Sequence, residues 1–185
     1  MAGKSRERTE AELVEAAQKG DLPSFGVLYE HYYGSLVALA YSIVADVQLS
    51  EDAVQEAFAI ACRDLPKLRK KNKFGAWVGR ICRNTAYQIL RVRRHMCDIR
   101  GVVARETEYD GTDRIEGVQR AVWNLRDGER EVLILHYYDN LPYEKMALVL
   151  GISVEAVHGR LTRARRKVED YLKRNGLASD GYGTG

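Results

Sequence analysis

The chain has 185 residues, 45% of them hydrophobic, and a formal net charge of +3. That length suits one large domain or two small ones with a packed core. Cys62, Cys82 and Cys97 are scattered without a CxxC pair, which argues against a disulfide framework and fits a reducing cytosol.

The charge is unevenly spread. Residues 1–62 hold ten acidic side chains against four basic ones. Residues 63–94 hold eleven Lys/Arg against Asp64 alone, and residues 158–174 hold seven against Glu169 and Asp170. Two basic blocks on a nearly neutral chain indicate two phosphate-facing surfaces, and the plainer alternative is two solvated helix faces. The N-terminus "MAGKSRERTE" lacks the apolar core of a signal peptide. No apolar stretch approaches the roughly 20 residues that span a bilayer. His95 and Cys97 stand close but without further metal ligands, so neither a metal nor a cofactor is expected.

Helix is predicted almost throughout, which makes the fold class all-α. Thr9 and Glu12 form a capping box before "AELVEAAQ". Asp21 and Pro23 can start the next helix, where Phe25, Leu28, Tyr29 and Tyr32 make one stripe. "SLVALAYSIV" is apolar nearly all round, as a core helix is. Ser50 is the expected cap of "EDAVQEAFAIACRDL", and Lys67 to Lys73 is a polar, basic loop. "FGAWVGRICRNTAYQILRVRR" predicts a long helix with Phe74, Trp77, Val78, Ile81, Ala86 and Leu90 inward. From Met96 to Glu116 the helical period fails and acids outnumber bases. This predicts a flexible acidic linker between two small helical domains, residues 9–95 and 117–175, that move independently unless a partner fixes them. A short strand at "GVVAR" has nothing visible to pair with. Beyond the linker "GVQRAVWNL" is helical, Asp127 caps "GEREVLILHYY" and "DNLP" turns. Residues 176–185 read as a disordered tail.

"YEKMALVL-GIS-VEAVHGRLTRARRK" has the layout of a helix-turn-helix. Gly151 suits the left-handed exit from the first helix, and Ser153 can cap the second. Val154, Val157, Leu161, Ala164, Val168 and Leu172 share one face. Glu155, His158, Arg160, Thr162, Arg163 and Arg166 fall mostly on the others, as DNA reading requires. Gly159 costs about 1 kcal/mol against Ala inside a helix. Close approach to a DNA backbone is one explanation, and a tolerated substitution is the slightly favoured one.

"SEDAVQEAFAIACRDL", the basic loop and "FGAWVGRICRNTAYQILRVRR" resemble region two of bacterial sigma factors of the extracytoplasmic-function group. "LRDGEREVLILHYYDNLPYEKMALVLGISVEAVHGRLTRAR" resembles region four of the same group. The resemblance implies a polymerase specificity subunit without catalytic residues. It would bind core RNA polymerase, recognise the −35 and −10 promoter elements and aid melting. Its implied partners are the clamp helices of the largest polymerase subunit, the flap of the second-largest, promoter DNA and an anti-sigma factor. Its implied location is cytoplasmic, on the nucleoid when active.

The same resemblance assigns polymerase contact to Asp52, Val54, Gln55 and Glu56; core is an equal reading for Val54, and Phe58 reads as core. It assigns capture of a flipped −10 base to the loop holding Lys67, Arg69, Lys70, Lys71 and Lys73, where cations can hold an extruded strand. Arg80, Arg83, Asn84, Tyr87, Gln88 and Arg91 on the following helix complete the −10 set. Gln88 stands where many members have Asp. Trp77 reads as core, with a melting wedge as the sharper alternative. The −35 set is Ser153, Glu155, Ala156, His158, Arg160, Thr162, Arg163, Arg166 and Lys167, with Arg165 as a further phosphate contact. His158 and Gly159 replace a common Lys-Ser, so the promoter sequence does not carry over. The competing readings are a stand-alone helix-turn-helix regulator, a sigma-derived interaction protein, and a nuclease or recombinase. The first leaves the "DAVQEAF" helix unexplained, and the last lacks an activated nucleophile.

Overall fold

The computed structural model describes residues 8–100, 113–138 and 140–177. Among them the chain is helical and has no strand. The first half is α1 (Glu10–Gln18), α2 (Leu22–Val44), α3 (Val47–Asp64) and α4 (Phe74–Arg100). The second is α5 (Asp113–Trp123), α6 (Asp127–Tyr138), α7 (Tyr143–Leu150) and α8 (Val154–Arg174).

Local chemistry sets most boundaries. The Thr9 hydroxyl accepts the Glu12 N–H at 3.3 Å, and the Glu12 carboxylate accepts the Thr9 N–H at 2.7 Å. Both first-turn donors of α1 are thereby satisfied. Pro23 lies in the first turn of α2, where its missing N–H removes no bond, and Ala45 ends the helix in the left-handed region at φ 55°. The stripe and the apolar segment read separately in the sequence are one continuous 23-residue helix.

Three expectations are corrected. Asp46, not Ser50, caps α3: its carboxylate accepts the Leu49 N–H at 3.0 Å. Ser50 is buried inside the helix and donates to the Asp46 carbonyl. "VQL" contains no breaker, so the helix starts one turn earlier. Asp127 lies within α6 instead of ahead of it. Helix α4 runs on to Arg100 and α5 begins at Asp113, so both enter the segment read as linker. The "GVVAR" strand and most of the linker lie outside the described residues, as does the tail beyond Leu177.

The basic loop is shaped, not free. It contains two short 3-10 turns, Leu65–Lys67 and Lys71–Lys73. The Gln18 amide donates to the carbonyls of Leu65 and Leu68, both at 2.9 Å. Lys71 pairs with Glu15 at 3.0 Å, and together with Lys19 it holds that carboxyl down at about 2, the Lys19 bond being the larger cause.

The core is continuous across both halves. Leu28, Leu36 and Leu39 of α2 pack with Val14, Ala53, Val54, Phe74 and Val78, and the cluster extends through Val132, Leu135, Met146, Val149, Val157 and Leu161. Burying each such leucine contributes roughly 1.5–3 kcal/mol. Helix α2 packs on α6 and α7 as well as on α1, α3 and α4, and α4 packs on α7. The halves expected to be independent are therefore closed on each other. Asp46→Ala should lower the stability of the folded chain by about 1 kcal/mol through loss of the α3 cap, read as a lower urea midpoint at unchanged slope. Ser153→Ala provides the matching cap loss in the second half.

Candidate polymerase and nucleic-acid interface

Helix α3 has two faces. Ala53, Val54, Ala57, Phe58 and Ala61 are buried, whereas Asp52, Gln55, Glu56 and Ala59 are exposed. The exposed row is free to dock on a partner helix. Val54 is not: at 0% exposure it has no surface to offer and belongs to the core. Its apolar side chain lies beside Ala53 and Ala57 on the inward stripe, which is wider than the small residues alone suggest. Phe58 is core as read, packed on Phe25 and Tyr29.

The loop and the start of α4 enclose a cleft of about 730 Å³, within the range of small-ligand clefts, roughly 300–1,000 Å³. Lys67, Arg69, Lys70, Lys73 and Arg80 ring it, and Ile60, Leu68, Trp77 and Ile81 supply its apolar wall. Trp77 is half-buried, resting on Phe74 with part of its surface in the cleft. Cations around an aromatic wall suit a phosphate chain with an extruded base. Lys71 faces away from this cleft toward Glu15.

Further along α4 the predicted set divides. Asn84, Gln88 and Arg91 are exposed. Arg83 and Tyr87 are engaged. The Arg83 guanidinium donates twice to the Glu131 carboxylate, at 2.8 and 3.3 Å, and Glu131 is 7% exposed at its side chain. Burial pulls the Arg83 guanidinium down, but Glu131 more than offsets this and the group stays firmly charged. The Tyr87 hydroxyl donates to Asp127 at 2.8 Å. Burial, and then Asp127, push the phenol up to about 12, and the Tyr87 hydroxyl in turn holds the Asp127 carboxyl low.

Arg130 ties the same seam. It donates to the Ser42 carbonyl at 2.7 Å, to Leu125 at 3.0 Å and to Asp127 at 2.7 Å, and lies over the Trp123 ring. Ser42 is in the last turn of α2, where carbonyls lack helical partners and a cation is favoured. Tyr41 stacks on Tyr138 and meets Trp123 edge-on. Neither Glu131 nor Arg130 stands out in the sequence, and Asp127 reads there only as a helix cap. The acidic "DGERE" opening α6, facing a cationic helix, was the available signal.

In the second half Gly151 takes φ 67° and Ser153 accepts the Ala156 N–H at 3.2 Å, which completes the helix-turn-helix as read. Val157, Leu161 and Ala164 are buried. Glu155, His158, Thr162, Arg163 and Arg166 are exposed; Ala156 is half-buried. Two cations of the set are held by one carboxylate: Lys167 pairs with Glu129 at 2.7 Å, and Arg163 lies 4.0 Å from it. Arg160 lies against Gly128, where an added Cβ would meet its Nη1 at 2.9 Å. Arg165 lies against His136 and over the Tyr137 ring. Among the described residues no acid–His–Cys cluster could hold a metal, and no helix is long and apolar enough to cross a membrane.

An exposed polar helix row, a cation-ringed aromatic cleft and a helix-turn-helix in one chain define a DNA-reading module that also offers a protein-docking face. Residues 28–96 match the family model of Sigma-70 region 2, and residues 115–168 match that of Sigma-70 region 4. The chain belongs to the sigma-70 family of RNA polymerase sigma factors, in its extracytoplasmic-function group. It is 32% identical to the ECF RNA polymerase sigma-E factor of Escherichia coli K12, over 91% of this chain and 97% of that one. It is also similar to CnrH, solved in complex with the cytosolic domain of CnrY (27% identity, TM-score 0.61, 90% of this chain and 98% of that one). A third similar protein is RpoE of Bartonella quintana, solved with the anti-sigma factor NepR (26% identity, TM-score 0.54, 80% and 96% covered).

The Tyr87–Asp127 bond has a defined pH window. The low Asp127 carboxyl makes its contribution present above its ordinary value of 3.8 and lost as pH falls below that. The raised Tyr87 phenol makes its contribution full below the ordinary 10.0 and lost as pH rises through about 12. Asp127 is 62% exposed at its side chain. Tyr87→Phe should therefore cost only about 0.5 kcal/mol, the low end for a hydrogen bond. Denaturant titration of both proteins should show that difference flat from pH 5 to 9 and shrinking toward either extreme.

Proposed function

We propose that this chain is a non-catalytic specificity subunit that binds core RNA polymerase and directs it to promoters with −35 and −10 elements. The observation that carries this reading is the division of α3, whose Gln55 and Glu56 lie exposed on a helix fixed from behind by Val54 and Phe58. A regulator that only sat on an operator would have no use for that face. Region two spans about residues 9–95 and region four about residues 117–175.

Asp52, Gln55 and Glu56 dock on the clamp helices of the largest subunit, and region four meets the flap of the second-largest. The cleft beside Trp77 takes a base unstacked from an easily melted step, its phosphates held by Lys67, Arg69, Lys70 and Lys73. Arg80, Asn84, Gln88 and Arg91 follow the strand along α4. On α8, Glu155 and His158 face bases with Arg160 and Arg163, while Arg166 and Lys167 neutralise phosphates. Activity on these terms takes place in the cytoplasm, at the nucleoid. An anti-sigma factor is the natural partner in restraint, by extension from the RpoE–NepR complex.

The test mixes the purified chain with bacterial core RNA polymerase and follows co-elution by size exclusion. The wild type should co-elute, and Gln55→Ala/Glu56→Ala should weaken this at least tenfold, about 1.4 kcal/mol. A folded, inhibitor-free wild type that stays off polymerase would shift the reading to a stand-alone regulator.

A further inference from the structure

Helix α1 lies ahead of residues 28–96, the segment that matches region two, yet its side chains converge on the basic loop and the start of α4. Glu10, Val14 and Gln18 are four residues apart and share one face of α1. Val14 is fully buried and seats that face in the core. Gln18, at its end, donates to the carbonyls of Leu65 and Leu68. The Leu65 carbonyl also accepts the Leu68 N–H at 3.0 Å, so both of its lone pairs are used. Leu68 in turn supplies part of the apolar wall of the cleft. Glu15, on the neighbouring flank of α1, holds Lys71 in the second 3-10 turn. Glu10 accepts from the Tyr32 hydroxyl, and an added Cβ at Gly75 would meet that same oxygen at 2.7 Å. The entry of the loop, its exit and the first turn of α4 are thus each fixed by α1 or by the tyrosine it holds. Arg69 and Lys70, both exposed at the cleft, lie between the two tethers. Short 3-10 turns have poor hydrogen-bond geometry and little strength of their own.

We propose that α1 is a positioning element for base capture: Gln18 and Glu15 hold the loop in the shape that admits an unstacked base, and the preference of the cleft for a base over bare backbone depends on them. The proposal rests on the −10 reading of the cleft for its consequence and on these contacts alone for its geometry. A loop that the strand itself had to order would lose binding free energy to that ordering, and a loop already held does not. Phosphate attraction by Lys67, Arg69, Lys70 and Lys73 acts over several ångströms and tolerates movement of the loop. Stacking of a base against Leu68 and Trp77 needs contact and does not. Loss of the tethers therefore weakens the capture of a base and spares the attraction for phosphate.

Gln18→Ala removes both amide bonds, and Gln18→Glu keeps the size of the side chain while turning an acceptor toward two carbonyls. Hydrogen exchange read by mass spectrometry on the free full-length chain should be faster in peptides spanning Leu65–Lys73 in both variants, with α2 unchanged. Anisotropy then compares a fluorescein-labelled, AT-rich single-stranded 12-mer with an abasic strand of the same length, both on the chain assembled with core polymerase. The wild type should bind the base-bearing strand about tenfold tighter, within the range that one stacked base supplies. Both Gln18 variants should lose about that factor if the untethered loop keeps its shape about a tenth of the time, and the abasic strand should bind as before. Glu15→Lys should act the same way, and Glu15→Lys/Lys71→Glu should restore the preference, because the pair is rebuilt with its ends exchanged. A loop that exchanges no faster in Gln18→Ala overturns the tether. Faster exchange with the base preference intact, or an equal loss on both strands, overturns its role in capture. An exchanged pair that stays unselective removes Glu15 from that role. A wild type that binds both strands alike, or fails to assemble with polymerase, sinks the −10 reading, and hydrogen exchange still decides the tether.

Discussion

A helix whose second half, from Ser35 to Val44, is buried on nearly every side cannot be left half in water, and α2 sets the terms for everything around it. Helices α1, α3 and α4 cover most of its surface, and its final turns meet α6. There the contact changes character. Tyr41 is only half-buried, and the end of the helix presents the Ser42 carbonyl, which Arg130 takes. The aliphatic core therefore gives way to a polar, aromatic seam just where the second domain begins. That gradient explains how one continuous core can still contain a boundary: aliphatic packing runs through it, and charges and ring edges line its rim.

Electrostatics make that boundary asymmetric. A half-buried arginine needs a partner, because removing one member of a buried pair leaves an uncompensated charge. Glu131 fills the role. Desolvation of the two groups offsets much of their attraction, so the net contribution of the pair is small although removing either member alone is costly. Lys167 and Glu129 differ, because both belong to region four and their pairing does not cross between the domains. The acidic start of α6 thus performs two tasks: it settles the base of the recognition helix, and it meets α4.

Much of this was legible in the chain. The Thr9–Glu12 box, the Gly151–Ser153 turn, the buried stripe of α8 and the inward Phe58 follow from residue type and period alone. The misses share a cause. Asp46 and Ser50 are both good caps one turn apart, and only the tertiary position of "VQL" decides between them. Residue type leaves contact and core equally open for Val54, and only the breadth of the burial on α3, which takes in Val54 beside Ala53 and Ala57, decides for core. Arg83 and Glu131 are 48 positions apart, and no periodicity links residues at that distance. What the sequence did carry was charge: a cationic helix, and an acidic one that had not been matched to it.

The glycines show where pattern stops and packing starts. Gly79 and Gly159 both interrupt good helices, and either could mark a close approach. An added Cβ at Gly159 would meet only the tip of Arg163, at 3.4 Å, an ordinary contact with a side chain that can turn aside. At Gly79 it would meet backbone, which cannot. The same local cost, about 1 kcal/mol of helix propensity, is therefore tolerated at one position and structurally demanded at the other. Gly79 faces region four and not solvent, so the demand comes from the closed arrangement and not from the bundle of region two. A domain that only had to fold and hold DNA would gain by replacing it with alanine. Its presence is a mark, inside region two, of the surface that closes over it.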